Sequence, residues 1–355
     1  MWLLFLSILG VGLAQEHVQD VYTTLSSQYD AATLEKAAIE GMLKVIDEQS
    51  GLAGSKVMTH TEFEDWKAWK RGEREGYGIR IQVLAGRGLV IDHVMKDSPA
   101  YEAGLEPGDF IVSINTRSLS GLSADQMLAV LETEGRERLI VDVLRDGSKQ
   151  TMKMQKGAFA VPQVTANFNP QYPTAGVLQI QFFGEQSSAQ VKKFLEEGSV
   201  SILDLRDNQG GLWEEAVATL DLFFPKDTLL AYRQYGDGTK IPVLSQSPAV
   251  QSEPVVILIN QGTKGPAELV ALTLQENGMA TLVGERSAGE AIDHHVLYPN
   301  RQLVLLMADI RLLSSKKRQW HGAGVVPNLS ISSSQTYRGE DRQQQAAIQL
   351  ISSKP

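Results

Sequence analysis

Glu290, Asp293, His294 and His295 carry the oxygen and nitrogen atoms that hold divalent metals, close together in one stretch of chain. Their spacing argues against a shared ion. On an extended strand Glu290 and His294 face one way while Asp293 and His295 face the other, and zinc needs three or four converging ligands. No metal and no cofactor are expected. Thr263 and Lys264 set a hydroxyl beside an amine, the makings of a nucleophile and its base, but adjacent side chains in an extended segment point apart. Ser287 falls in a turn, where serine is common for conformational reasons. The sequence has no cysteine, which removes thiolate catalysis, disulfides and cysteine-bound metals together.

The elements that would position such groups can be read from the pattern of the chain. Its 355 residues, 43% hydrophobic and 21% charged, suit a folded protein of two or three domains. Lys and Arg number 33 against 42 Asp and Glu, a net charge of −9, so nucleic acid is not an expected partner. Residues 1–14, MWLLFLSILGVGLA, are apolar, too short to span a bilayer and closed by small residues. They read as a signal peptide, and the protein is expected to be exported to a periplasm or cell exterior. Residues 15–74 read as a helical segment. Leu34, Ala38, Met42 and Ile46 recur every fourth residue as its buried stripe, and Phe63, Trp66 and Trp69 are expected in the core.

From 75 to 157 the period changes to short alternating strands, including Ile79-Arg80-Ile81 and Asp109 to Ile114. Between them lie a short helix over SPAYEAGL and a second helix opened by a Ser123/Gln126 capping box. In that order these pieces resemble a PDZ domain. The resemblance implies capture of peptide or protein C-termini by strand addition, with the backbone N–H groups of Tyr77, Gly78 and Ile79 on the terminal carboxylate.

Residues 158–335 alternate strands with helices, the pattern of an α/β domain, and 336–355 form a C-terminal tail. LDLRDNQGG at 203–211, GTKGPAELVA at 262–271, QENG at 275–278, LVGER at 282–286 and HGAGVVPN at 321–328 resemble the carboxyl-terminal processing peptidases, also called tail-specific proteases. The resemblance implies a PDZ-like module ahead of a ClpP/crotonase-like α/β core. It also implies cleavage by a serine nucleophile with a lysine general base. Aligned on Glu268, the serine of the family's Ser-Ala-Ser-Glu helix start falls at Gly265. Aligned on Leu282 to Arg286, the lysine of its Phe-Gly-Lys-Gly turn falls at Glu290, and the glutamine that follows falls at His294. Gly210 and Gly211 are expected to supply oxyanion-hole donors. A hydrogen and a carboxylate thus replace the attacking hydroxyl and its base. The sequence reads as an impaired peptidase homologue acting as a C-terminus-binding adaptor or regulator, alone or in a homo- or hetero-oligomer with a related peptidase. The alternative is an active endopeptidase using Thr263 with Lys264, or a water activated by Glu290.

Overall fold

The computed structural model describes residues 17–84, 86–134, 137–168, 175–198, 200–332 and 341–352. The expected signal peptide, residues 1–14, lies outside them.

Helix α1, Ala31–Ser50, is capped by Asp30, whose side chain accepts from Thr33 N, and is stopped by Gly51 in the left-handed region at φ 65°. The expected stripe is not the packed face: Met42 is 58% and Ile46 43% exposed, whereas Leu43 is 4% exposed. Steps of four residues overshoot a helical turn by about 40°, so such a row winds around the cylinder. Strand β1, Lys56–Thr59, follows, and a Thr59/Glu62 capping box opens helix α2, His60–Arg71. Phe63 is buried as expected, but Trp66 and Trp69 are only half-buried. Trp66 stacks on Phe63, and Trp69 lies under the Arg74 guanidinium.

An antiparallel ribbon of β2, Glu73–Gly76, and β9, Gly157–Ala160, brackets the PDZ module. Its sheet runs β3 (Ile79–Leu84), β4 (Gly88–Val94), β5 (Phe110–Ile114), β7 (Arg138–Arg145) and β8 (Ser148–Gln155), with β6 (Arg117–Ser118) on β5. Helix α3, Pro99–Glu102, and helix α4, Ala124–Glu134, complete it. The Ser123/Gln126 capping box forms in both directions. Alternate residues such as Leu89, Ile91, Leu139, Val141 and Val143 are fully buried and close on Met127 of α4.

The core sheet has the order β10 (Val164–Asn167), β11 (Gly176–Ile180), β12 (Val200–Asp204), β15 (Val255–Ile259), β16 (Ala280–Gly284) and β19 (Leu329–Ser330). All its pairings are parallel except β10 with β11. Every residue of β15 is buried, as a strand covered on both faces requires. Val255, Ile257 and Ile259 face helices α5 (Ser187–Glu197), α6 (Trp213–Asp221) and α7 (Pro266–Glu276). Val256 and Leu258 face the other way, into a cluster with Val177, Ile202, Val283 and Ala347 of helix α8, Arg342–Ser352. The last stretch, expected as a tail, is therefore in large part a packed helix, because its apolar residues close the second face of the sheet.

Arg206 fastens that helix. Its guanidinium reaches Asp204 at 2.6 Å, Asp341 at 2.8 Å and Gln343 Oε1 at 3.1 Å. Arg206→Met leaves the buried Asp204 carboxylate without its cation and is expected to cost about 2 kcal/mol, less than a fully buried pair because Asp341 is partly solvated. An unchanged urea midpoint would contradict this. A second sheet, β1-β18-β13-β14 with β17 on β18, is built from β13 (Leu229–Gln234), β14 (Lys240–Leu244), β17 (Ile292–Leu297) and β18 (Leu303–Ser314).

Candidate functional site

Three loops leave the carboxyl ends of adjacent parallel strands: 205–212 after β12, 260–265 after β15 and 285–291 after β16. In open α/β sheets this is the edge where ligands bind. The loops are joined through backbone: Lys264 N donates to Asn208 O at 2.9 Å, and Ala288 N donates to Thr263 O at 3.0 Å.

Gly265 caps α7 at φ 54°, ψ −122°, a sharp strand-to-helix turn of the kind that displays a nucleophile. A Cβ built there would meet only Glu290 O, at 3.8 Å. The space for a side chain is present and the side chain is not.

Glu268, used in the sequence only to fix the register, organises the turn. Although fully buried, its carboxylate accepts from Gly265 N at 3.0 Å, Gly289 N at 2.7 Å, Glu290 N at 2.7 Å and the Ser287 hydroxyl. Burial pushes its carboxyl above the ordinary value, against the pull of these donors. The available signal was its position three residues into a helix, the reciprocal place of a capping box.

The expected site residues divide into those the structure gathers and those it commits elsewhere. Gly265 and Glu290 meet as the alignment implies, but Glu290 turns to Lys264, Oε1 to Nζ 3.7 Å. Thr263 is fully buried, its hydroxyl donating to Leu205 O at 2.8 Å and accepting from Asn260 N at 3.0 Å. The Thr263/Lys264 dyad is thereby corrected: hydroxyl and amine serve different partners. Ser287 is buried too, donating to Glu268 and accepting from Val325 N at 2.7 Å.

Gly210 lies against the start of α7, where a Cβ would be 3.1 Å from Pro266 Cδ. Its N–H, expected as an oxyanion donor, instead donates to Asn208 Oδ1 at 2.8 Å. Buried Asn208 also donates to Ile180 O, so the turn is held from inside. Gly211, at φ 125°, approaches the Phe183 backbone so closely that a Cβ would fall 2.3 Å from Phe183 O.

The acidic and histidine residues after Glu290 disperse. Asp293 pairs with Arg233 at 2.7 Å, His295 lies 3.7 Å from Asp309, and His294 Nε2 donates to Gly54 O at 3.1 Å. Among the described residues no group of three potential ligands converges on a metal.

Burial holds the His294 imidazole below its ordinary value. The unfolded chain therefore takes up the proton first, and stability present above about pH 6.5 is lost as pH falls toward the folded value. His294→Gln is expected to flatten that part of the decline between pH 7 and pH 5 in urea titrations. An identical decline in both proteins would refute the assignment.

In the PDZ module, Tyr77 O accepts from Ala100 N at 3.0 Å and Gly78 O from Met95 N at 2.7 Å. These bonds fold the loop ahead of β3 onto the end of β4 and the start of α3. Gly78 sits at φ 73°, and a Cβ there would fall 2.2 Å from Ser98 Cβ, so glycine is required. Strand β3 is an edge of its sheet beside α4, with Ile79, Ile81 and Leu131 partly buried against the module's core. The three residues expected at a peptide carboxylate thus lead directly into an edge strand.

Residues 174–331 match the model of Peptidase family S41, and residues 90–145 match a PDZ domain model. A protein of Staphylococcus haemolyticus described as a CtpA-like serine protease is 26% identical over 341 residues, 91% of this chain and 67% of the relative. A carboxyl-terminal-processing protease of Synechocystis sp. is 26% identical over 329 residues, 88% of this chain and 76% of the relative. A further staphylococcal relative, from Staphylococcus saprophyticus, is covered over 65% of its length. The chain thus spans about two thirds of the staphylococcal proteins. Among solved structures, the photosystem II D1 C-terminal processing protease aligns with a TM-score of 0.55 at 19% identity, over 87% of this chain and 85% of that one. A structure described as an S41 protease from Bacteroides fragilis aligns with a TM-score of 0.59 at 18% identity, over 79% and 83%.

Proposed function

Since the chain belongs to the carboxyl-terminal processing peptidases of family S41, with a PDZ domain ahead of the peptidase core, we propose that it binds protein C-termini without cutting them. It acts as an adaptor or regulator. The observation that carries this reading is the turn at Gly265: the nucleophile position holds no side chain, while the neighbouring Thr263 and Ser287 hydroxyls are buried and committed. Glu290 supports it further, since a carboxylate paired with Lys264 replaces the neutral amine that would accept a proton.

Binding falls to the PDZ module. An extended peptide adds to the free-standing edge of β3, its carboxylate at the loop formed by Tyr77, Gly78 and Ile79, and its apolar last side chain beside α4. The apolar residues 1–14 support export to a periplasm or cell exterior. Pairing with an active relative would let this chain present C-termini to an enzyme that cuts them; purification from its source cells that returns this chain alone counts against that part.

The deciding experiment incubates the full chain with a fluorescent peptide ending in a free apolar residue. Anisotropy is expected to report saturable binding while mass spectrometry finds the peptide intact. Cleavage that survives repeated purification would overturn the reading in favour of an active endopeptidase.

A further inference from the structure

A cavity of about 290 Å3 opens between α2, the start of α6 and strands β13 and β17, with Trp66, Lys70, Leu212, Trp213, Arg233 and His294 in its lining. It uses none of the PDZ residues. Its lining adjoins both catalytic segments, since Leu212 follows Gly211 and Asp293 and His294 follow Glu290.

The cavity has two indole walls. Trp213 is nearly fully buried, and Trp66 is backed by Phe63 at 5.5 Å between ring centroids. Between such walls a flat or branched apolar group gains both burial and ring contact. Lys67, Lys70, Arg71 and Arg233 line it together with Glu185, Glu214 and Asp293.

Three of those cations are already engaged: Lys67 with Glu64 at 2.7 Å, Arg71 with Glu73 at 3.1 Å and Arg233 with Asp293 at 2.7 Å. Lys70 forms no ion pair among the described residues. Its Nζ lies 4.4 Å from the Trp66 ring centroid, and burial draws its ammonium below the ordinary value, with Asp293 and Glu214 opposing. Arg233 adds a buried Nε that has no acceptor among the described residues. A desolvated ammonium and an unanswered guanidinium N–H call for the same complement.

We propose that this cavity binds a monocarboxylate carrying an apolar or aromatic group, with the carboxylate on Lys70 and Arg233 and the apolar part between Trp66 and Trp213. The volume, at the small end for ligand pockets, admits about one residue with its flanking amide. A second carboxylate finds no further cation, since Lys67 and Arg71 are already paired with Glu64 and Glu73. The same chemistry is offered by the last residue of a peptide and by a free N-acylated amino acid.

The chain has 5 tryptophans, none of them between 75 and 157, so indole emission reports on the core and not on the PDZ groove. The full chain is titrated with N-acetyl-Ala-Leu, with its C-terminal amide and with N-acetyl-leucine. A saturable emission change is expected with the acids, and at least tenfold weaker binding with the amide. Tighter binding of the dipeptide assigns the site to chain ends, and equal binding assigns it to free acids. Lys70→Met is expected to weaken acid binding at least tenfold, and Lys70→Arg to retain most of it. No emission change, equal binding of acid and amide, or unaltered binding by a folded Lys70→Met protein would overturn the proposal. The labelled peptide can seat at either site, so the anisotropy assay is repeated with Lys70→Met: binding kept in that variant belongs to the PDZ groove and binding lost belongs to the cavity, so the PDZ reading and the cavity proposal fail separately.

Discussion

Gly265→Ser combined with Glu290→Lys is expected to yield peptide hydrolysis that neither single substitution produces. Serine alone remains a weak nucleophile without an adjacent base, and lysine alone has no hydroxyl to activate. A positioned general base contributes about 10²- to 10⁴-fold, so the double variant should exceed each single by at least 10²-fold in product formed, measured by mass spectrometry. The new serine Cβ has room, its nearest neighbour being Glu290 O at 3.8 Å. Its backbone must hold φ 54°, a conformation that strains an L-residue by about 1–3 kcal/mol. The lysine also removes the partner of Lys264 and sets two ammonium groups near each other, which favours a neutral amine. If the folded double variant stays silent, restoring these two side chains is not sufficient for cleavage. The Gly210 N–H, turned to Asn208, is then the first place to look.

Glu268→Ala is expected to destabilise the core by about 4 kcal/mol, in the range reserved for broken buried networks. The truncation strands three backbone N–H groups and the Ser287 hydroxyl at once. A shift of the urea midpoint worth under about 1 kcal/mol would show that water replaces the carboxylate without loss. Glu268→Gln tests the charge separately. Because the folded carboxyl sits above its ordinary value, its contribution to stability is complete below about pH 4.5 and declines as pH rises through the folded value. Gln cannot ionise, so that decline should vanish in the variant while the midpoint at acidic pH still falls, since the amide group faces donors with a donor of its own.

Local signals carried most of the architecture. The Ser123/Gln126 capping box, the wholly apolar VVILI strand and the alternating strands of the PDZ module depend on residues a few positions apart, and they appear where the sequence puts them. The stripe on α1 was misplaced because only part of that helix meets β1 and β18, so its period had little packing to report. Glycine at 265 and glutamate at 290 were legible as departures from the family pattern only through resemblance, since neither residue type is unusual on its own. The fate of the Thr263 and Ser287 hydroxyls was hidden for a different reason. Their partners, Leu205 O and the Glu268 carboxylate, come from other loops, and which hydroxyl a fold consumes is settled by tertiary contact. Trp66 and Lys70 belong to the same class: a helix near the start of the chain meets strands more than a hundred residues away.

The second face of the central sheet imposes an order on how this protein is made. Val177, Ile202, Val256, Leu258 and Val283 are all synthesised by residue 283, yet the helix that shields them begins only at Arg342. Throughout that interval a nascent chain leaving the ribosome presents an oily surface to the cytosol or the translocation machinery, where chaperones recognise unfinished proteins.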